Sequence, residues 1–160
     1  MAVKDTILLG DPRLYEKSEP VLKSEIGGLL PQIDLLFETV IDFRNQYGCG
    51  RAIAAPQIGL MKRIICLNID KPVAMLNPEL SELSEEKFEV WDDCMSFPNL
   101  LVKVMRHQSL TLTFFDLNFE KQTWHLSGDL SELIQHEYDH LDGILATQRA
   151  IDNQSFRWKI

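Results

Sequence analysis

The chain contains no apolar run near the roughly 20 residues that a membrane-spanning helix needs, so neither a span nor a membrane partner is expected. Its first residues, "MAVKDTILLGDPRL", carry an acid and no long apolar stretch. They do not read as a secretory leader, and a cytoplasmic protein is expected. Basic charge is scarce: 16 Lys and Arg stand against 24 Asp and Glu, for a net charge of -8. A nucleic-acid groove needs a basic stripe, so direct nucleic-acid binding is not expected. Cysteine is sparse and odd in number, with only Cys49, Cys66 and Cys94. That pattern fits free thiols in a reducing compartment. By composition alone, each is a small residue suited to burial. Repeats, low-complexity tracts and linkers are also missing, and 160 residues suffice for one domain, 1–160, with a substantial core.

What is present divides into helix, strands, helix. Residues 31–47, "PQIDLLFETVIDFRNQY", place Ile33, Leu36, Phe37, Val40 and Ile41 on one helical face. Pro31 suits the first turn and Gly48 the position after the end. Short apolar or alternating runs follow at 63–69, 73–76, 100–106 and 109–115. A last helix is expected to start between Ser127 and Asp129, where Asp129 and Glu132 have capping-box spacing. The order predicts an α+β fold with antiparallel sheets.

The last helix carries "IQHEYDHLDG", residues 134–143. His136 and His140 stand at i and i+4, so both rings project from one face and can converge on a metal ion. Glu137 follows the first histidine, where a carboxylate reaches a water on the metal without ligating it. The plain alternative is a polar helix face with two hydrogen-bonded histidines. Leu133, Ile134 and Leu141 pin this helix to a core. A third ligand cannot be a later glutamate, because none follows Glu137. It also cannot be the last histidine of an H-E-x-x-H-x-x-G-x-x-H pattern: Gly143 is in place, but the final position is Ala146. The candidates are therefore upstream: Cys49, Cys66, Cys94, His107 and His125, with aspartates less distinctive. Cys94 is favoured by its context, "VWDDCMSFPN", which reads as a turn or strand end. Cys66, inside "RIICLNI", reads as a buried strand residue, and Cys49 stays open.

Three separated segments carry a resemblance. "GRAIAAPQIG" (50–59), "DDCMS" (92–96) and "QHEYDHLDG" (135–143) resemble, in order, the G-φ-G-φ-A-A-x-Q, E-G-C-φ-S and H-E-x-D-H segments of the peptide deformylases. "LGDPRL" and "LNPEL" add to it, so it covers nearly the whole chain. The resemblance implies antiparallel sheets around a central H-E-x-x-H helix, with an additional N-terminal helix. It implies Cys94, His136 and His140 as ligands of one divalent cation, Fe(II), with Zn, Ni or Co in preparations. Glu137 becomes the acid and base, Gln57 an oxyanion donor, and the backbone N–H of Met95 a second donor. The substrate implied is the N-terminal formylmethionine of newly made peptides. Work near the ribosome is implied too, but no ribosome-docking helix is expected in the 20 residues after His140.

Departures from the family pattern gather around the side-chain pocket. Arg51 replaces an apolar residue, and Ala52 replaces the second glycine of the first motif. Asp92 and Asp93 replace Glu and Gly, and Asp129 and Glu132 stand at the helix entrance. The resemblance places Gly50, Arg51, Ala52, Val90, Asp129 and Leu133 around the substrate. Arg51 is expected to pair with Asp129 over an apolar floor of Val90 and Leu133, to admit a different side chain, or to extend into solvent. Asp92 has a potential partner in Arg106, the alternative being a surface pair of little worth. Two further readings stand beside the deformylase: a metalloamidase that removes a formyl or small acyl group from another amine, and a non-catalytic metal-binding relative.

Overall fold

The computed structural model describes residues 5–159; the first four residues of the stretch tested for a leader, and Ile160, lie outside them. Among the described residues, two α-helices, several short 3-10 turns and two antiparallel sheets make up the fold. Helix α1 spans Ile26–Tyr47 and α2 spans Asp129–Leu141. Strands β1 (Ala52–Ala54), β2 (Ile64–Asn68), β3 (Pro72–Ser81), β6 (Ser109–Phe115) and β7 (Lys121–Ser127) form one sheet in the order β1-β2-β3-β6-β7. Strands β4 (Lys87–Asp92), β5 (Leu100–His107) and β8 (Phe156–Trp158) form the other. The chain leaves the large sheet after β3 and returns at β6. Among the described residues, no helix is long and apolar enough to cross a membrane.

The large sheet is covered on both faces, which explains why β2 reads as a nearly continuous apolar run. Its side chains alternate. Ile53, Ile64, Cys66, Ala74 and Leu76 pack with Ile33, Leu36, Val40 and Phe43 of α1. Ala52, Ala54, Ile65, Leu67 and Met75 pack with Leu133, Ile134 and Leu141 of α2. The small sheet closes the other side of α2: Ser131 Oγ donates to the His107 carbonyl of β5 at 2.8 Å. The H-E-x-x-H helix is therefore central, as the resemblance implied.

Three local expectations are corrected. Helix α1 starts at Ile26, so Pro31 lies inside it. Proline there removes one hydrogen bond, to the carbonyl of Gly27, which is exposed. Ile41 is exposed, and Phe43 takes the inner position, because the buried stripe runs 33, 36, 40, 43. The capping box at Asp129 does not form: Asp129 is the first helical residue, and Gly128 precedes it at φ 62° without a side-chain cap. Four strands also carry no strong sequence signal. β1 and β8 are three residues each, and β7 buries only Leu126. β4 alternates between exposed and half-buried positions until Asp92.

The end of α2 is tied down. The Leu141 carbonyl accepts from Ser18 N, Ser18 Oγ and Arg63 Nη1. Gly143 then turns the chain at φ 74°, so close to Tyr15 that an added Cβ would lie 2.5 Å from its carbonyl oxygen. That close approach is why glycine stands in the H-x-x-G position.

Candidate active site

Cys94, His136 and His140 are all buried, and one donor atom from each lies within 4.8 Å of the others. The two rings stand one turn apart on α2, 5.1 Å between centroids. Cys94 comes from the segment after β4, and its Sγ lies 3.3 Å from His140 Nε2. Two donors at bonding distance on a tetrahedral ion sit about 3.5 Å apart, so this set fits one transition-metal cation. Cys66, His107 and His125 are not part of the cluster. Cys66 is deep in the core, where burial raises its thiol pKa well above the usual range. Cys49 is half-buried and lies 3.0 Å from Lys159 Nζ.

The His136 ring is oriented from behind. His136 Nδ1 lies 3.1 Å from Asp92 Oδ2, which leaves Nε2 facing the cluster. Asp92 Oδ2 also accepts from Arg106 Nη2 at 2.7 Å, with both side chains 3% exposed. Arg106 Nη1 donates to Asp139 at 2.9 Å, and Arg149 closes the chain on Asp139 at 2.6 Å. The Asp92–Arg106 pair is thus buried rather than superficial. Burial opposes ionisation of Asp92, but His136 and Arg106 outweigh it and hold the carboxyl well below the usual range. Burial, His136 and Arg106 together lower the His140 pKa. Asp139 is the aspartate of the H-E-x-D-H pattern but was given no role from sequence, and nothing there singled out Arg149.

Glu137 and Gln57 face the same space. A cavity of about 460 Å³ is lined by both, together with Cys94, Met95, His136 and Leu133. Glu137 is buried, its Oε1 has no hydrogen-bond partner among the described residues, and burial pushes its pKa up to about 7. Gln57 is 1% exposed, in a short 3-10 turn after β1. Its Oε1 accepts from Ala54 N at 3.0 Å, while Nε2 donates to Ser96 Oγ at 3.1 Å and to Cys94 Sγ at 3.4 Å. The amide therefore turns its donors toward the donor cluster. Ser96, inside the quoted "DDCMS", was not singled out from sequence.

The expected pocket set is partly redrawn. Gly50, Arg51, Ala52 and Leu133 line the cavity; Val90 and Asp129 do not. Val90 pairs with Val104 on the small sheet and packs in the cluster of Cys94, Phe97 and Val102. Asp129 is exposed at the start of α2. Arg51 pairs instead with Glu132, Nη2 to Oε1 at 3.2 Å. Position 132 is one turn closer to the histidines, which turns its carboxyl into the cavity. Burial and the Asp92 carboxylate push Glu132 up to about 8, against the pull of His136 and Arg51.

Comparisons agree with this geometry. The family model described as polypeptide deformylase matches residues 3–156. The peptide deformylase of Desulforudis audaxviator is 34% identical over 152 residues, covering 94% of this chain and 95% of that protein. Among solved structures, the peptide deformylase of Thermotoga maritima matches with a TM-score of 0.82 at 30% identity, covering 92% of this chain and 97% of that one. A class I type b peptide deformylase from Acinetobacter baumannii matches at 0.83 and 30%, covering 93% and 100%. With a family model spanning nearly its full length and a metal-type donor set gathered against its central helix, this chain belongs to the polypeptide deformylase family.

Proposed function

We propose that this protein hydrolyses the formyl group from the N-terminal formylmethionine of newly made peptides, using Cys94, His136 and His140 to hold one divalent cation. The observation that carries this is the convergence of those three donors in the cavity that also presents Glu137 and Gln57. A thiolate with two imidazoles suits Fe(II) or Zn, and Fe(II) is our choice. When bound, the cation polarises the formyl carbonyl and acidifies water.

The chain's own groups supply the remainder. Glu137, with a pKa near 7, takes the proton from the attacking water and then delivers it to the departing amine nitrogen. Gln57 Nε2 donates to the oxygen on which charge develops, and the Met95 backbone N–H is the second donor. Asp92 holds the His136 tautomer, with Arg106 behind it. Gly50, Arg51, Ala52 and Leu133 border the substrate. With Glu137 and Gln57 both in place, a non-catalytic metal-binding role is the weaker reading.

We read residues 1–160 as one such domain, working in the cytoplasm near the ribosome and without direct nucleic-acid binding. The test is formate release from formyl-Met-Ala-Ser by anaerobically prepared Fe(II) protein, with acetyl-Met-Ala-Ser as control. Formate release that a chelator abolishes is expected. Absence of formate at full metal occupancy sinks the proposal.

A further inference from the structure

The cavity beside the donor cluster has a polar wall that the proposed reaction does not use. Arg51, just before β1, and Glu132, one turn before His136 on α2, both line it. Arg51 Nη2 donates to Glu132 Oε1 at 3.2 Å, and the side chains are 40% and 11% exposed. The carboxyl therefore lies inside and the guanidinium reaches toward the mouth. Leu133 and Ala52 supply apolar surface in the same cavity. One helical turn is about 5.4 Å. A peptide with its formyl carbon at the donor cluster thus meets the pair with the next group along, the side chain of its first residue.

Three kinds of side chain fare differently against such a pair. A thioether strips water from a guanidinium and a carboxyl and returns no hydrogen bond. A charged side chain reaches one member of the pair only by displacing the other, which then loses its hydrogen-bond partner. A neutral amide on a two-methylene stem lays the stem on Leu133, accepts from one of the guanidinium's five N–H donors and donates to the carboxyl. We infer that the Arg51–Glu132 pair determines specificity here, turning the pocket from a thioether toward first side chains that end in a neutral donor-acceptor group, an amide above all. This rests on the deformylase reading of the site.

The test measures kcat/KM for formyl-Xaa-Ala-Ser on the metal-loaded protein, with Met, norleucine, Gln, Glu and Lys as Xaa. The wild type is expected to use the Gln peptide within about tenfold of the Met peptide, with Glu and Lys slower than both. The double variant Arg51→Ile/Glu132→Ile is expected to raise the Met-to-Gln ratio about tenfold or more at unchanged metal content. Each single variant strands one member of the pair, so each alone is expected to lower kcat/KM for the Met peptide below that of the double variant. A wild-type preference for Met over Gln greater than tenfold overturns the inference, whatever the variants do. An unchanged ratio in a metal-replete double variant overturns it too, while leaving the deformylase reading intact. No formate from any peptide overturns the deformylase reading itself, and this inference with it.

Discussion

Asp92 and Arg106 form an ion pair of 2.7 Å with both side chains almost wholly buried, and the same Asp92 oxygen meets His136 Nδ1 at 3.1 Å. Strand β4, strand β5 and helix α2 are joined through that one carboxylate. Removing one member leaves a buried charge uncompensated, a loss of about 3–5 kcal/mol. Arg106→Leu is expected to lower unfolding stability by that order and to weaken metal binding about 10–100-fold. Denaturant titration of the metal-free protein and competition with a chelator read the two effects. Unchanged metal affinity would show that Arg106 does not support His136.

The same pair sets an acid limit. Asp92 has its folded pKa held below the ordinary carboxylate value of about 3.9. The stability it contributes is therefore complete above that value and is lost as pH falls through the folded one. Asp92→Asn is expected to be less stable than the wild type near neutrality and to show a shallower loss between about pH 4 and 2. Parallel slopes for the two proteins in acid titrations would count against this.

Only one of the three cysteines lies with the histidines. Cys94→Ala leaves two imidazoles, so stoichiometric binding of Zn or Fe(II) is expected to be lost. Cys49→Ala and Cys66→Ala are expected to keep one ion per chain. Metal analysis after gel filtration decides, and full occupancy in Cys94→Ala would remove Cys94 from the site.

The H-E-x-x-H helix was legible because its spacing and its apolar neighbours are local in sequence. So was the upstream origin of a third donor beside the two histidines, because the downstream alternatives are absent. Contacts set by packing were not legible. Arg51 could be seen as a charge needing a partner, but whether it met Asp129 or Glu132 depends on where α2 begins and how it is turned. That is fixed by Gly128 at φ 62° and by the burial of Leu133 and Ile134. Val90 was placed around the substrate by resemblance; it lies two residues before Asp92 on the same strand face and packs with Cys94, Phe97 and Val102, a contact that only the sheet register makes visible. Asp139, on α2, joins the network behind His136 through Arg106, and Arg149 reaches it from a 3-10 turn after the helix, which no periodicity announces.

Glu137 Oε1 is buried and has no hydrogen-bond partner among the described residues, in the cavity that the substrate is proposed to fill. Glu137→Gln keeps the shape and a hydrogen-bonding group but cannot accept a proton. Turnover of formyl-Met-Ala-Ser is expected to fall about 10²–10⁴-fold with metal content unchanged. Near-wild-type kcat in a metal-replete variant would mean that another base operates.

Gly143 couples the end of α2 to the N-terminal segment. Its φ of 74° is the left-handed region, and a Cβ there would sit 2.5 Å from the Tyr15 carbonyl oxygen and 2.6 Å from its carbon. Both contacts are backbone, so no side-chain rotation relieves them. Left-handed backbone alone costs a non-glycine residue about 1–2 kcal/mol, and the clash adds to it. The segment that must move also carries Ser18, whose N–H and hydroxyl donate to the Leu141 carbonyl one residue past His140. Gly143→Ala is therefore expected to lower stability by more than 2 kcal/mol, about the upper end of that strain alone, and to weaken metal binding through the displaced end of α2. Thermal unfolding of the metal-free protein and chelator competition of the loaded protein are the measurements. A stability loss with unchanged metal affinity would confine the strain to the turn, and no loss in either would contradict the close approach to Tyr15.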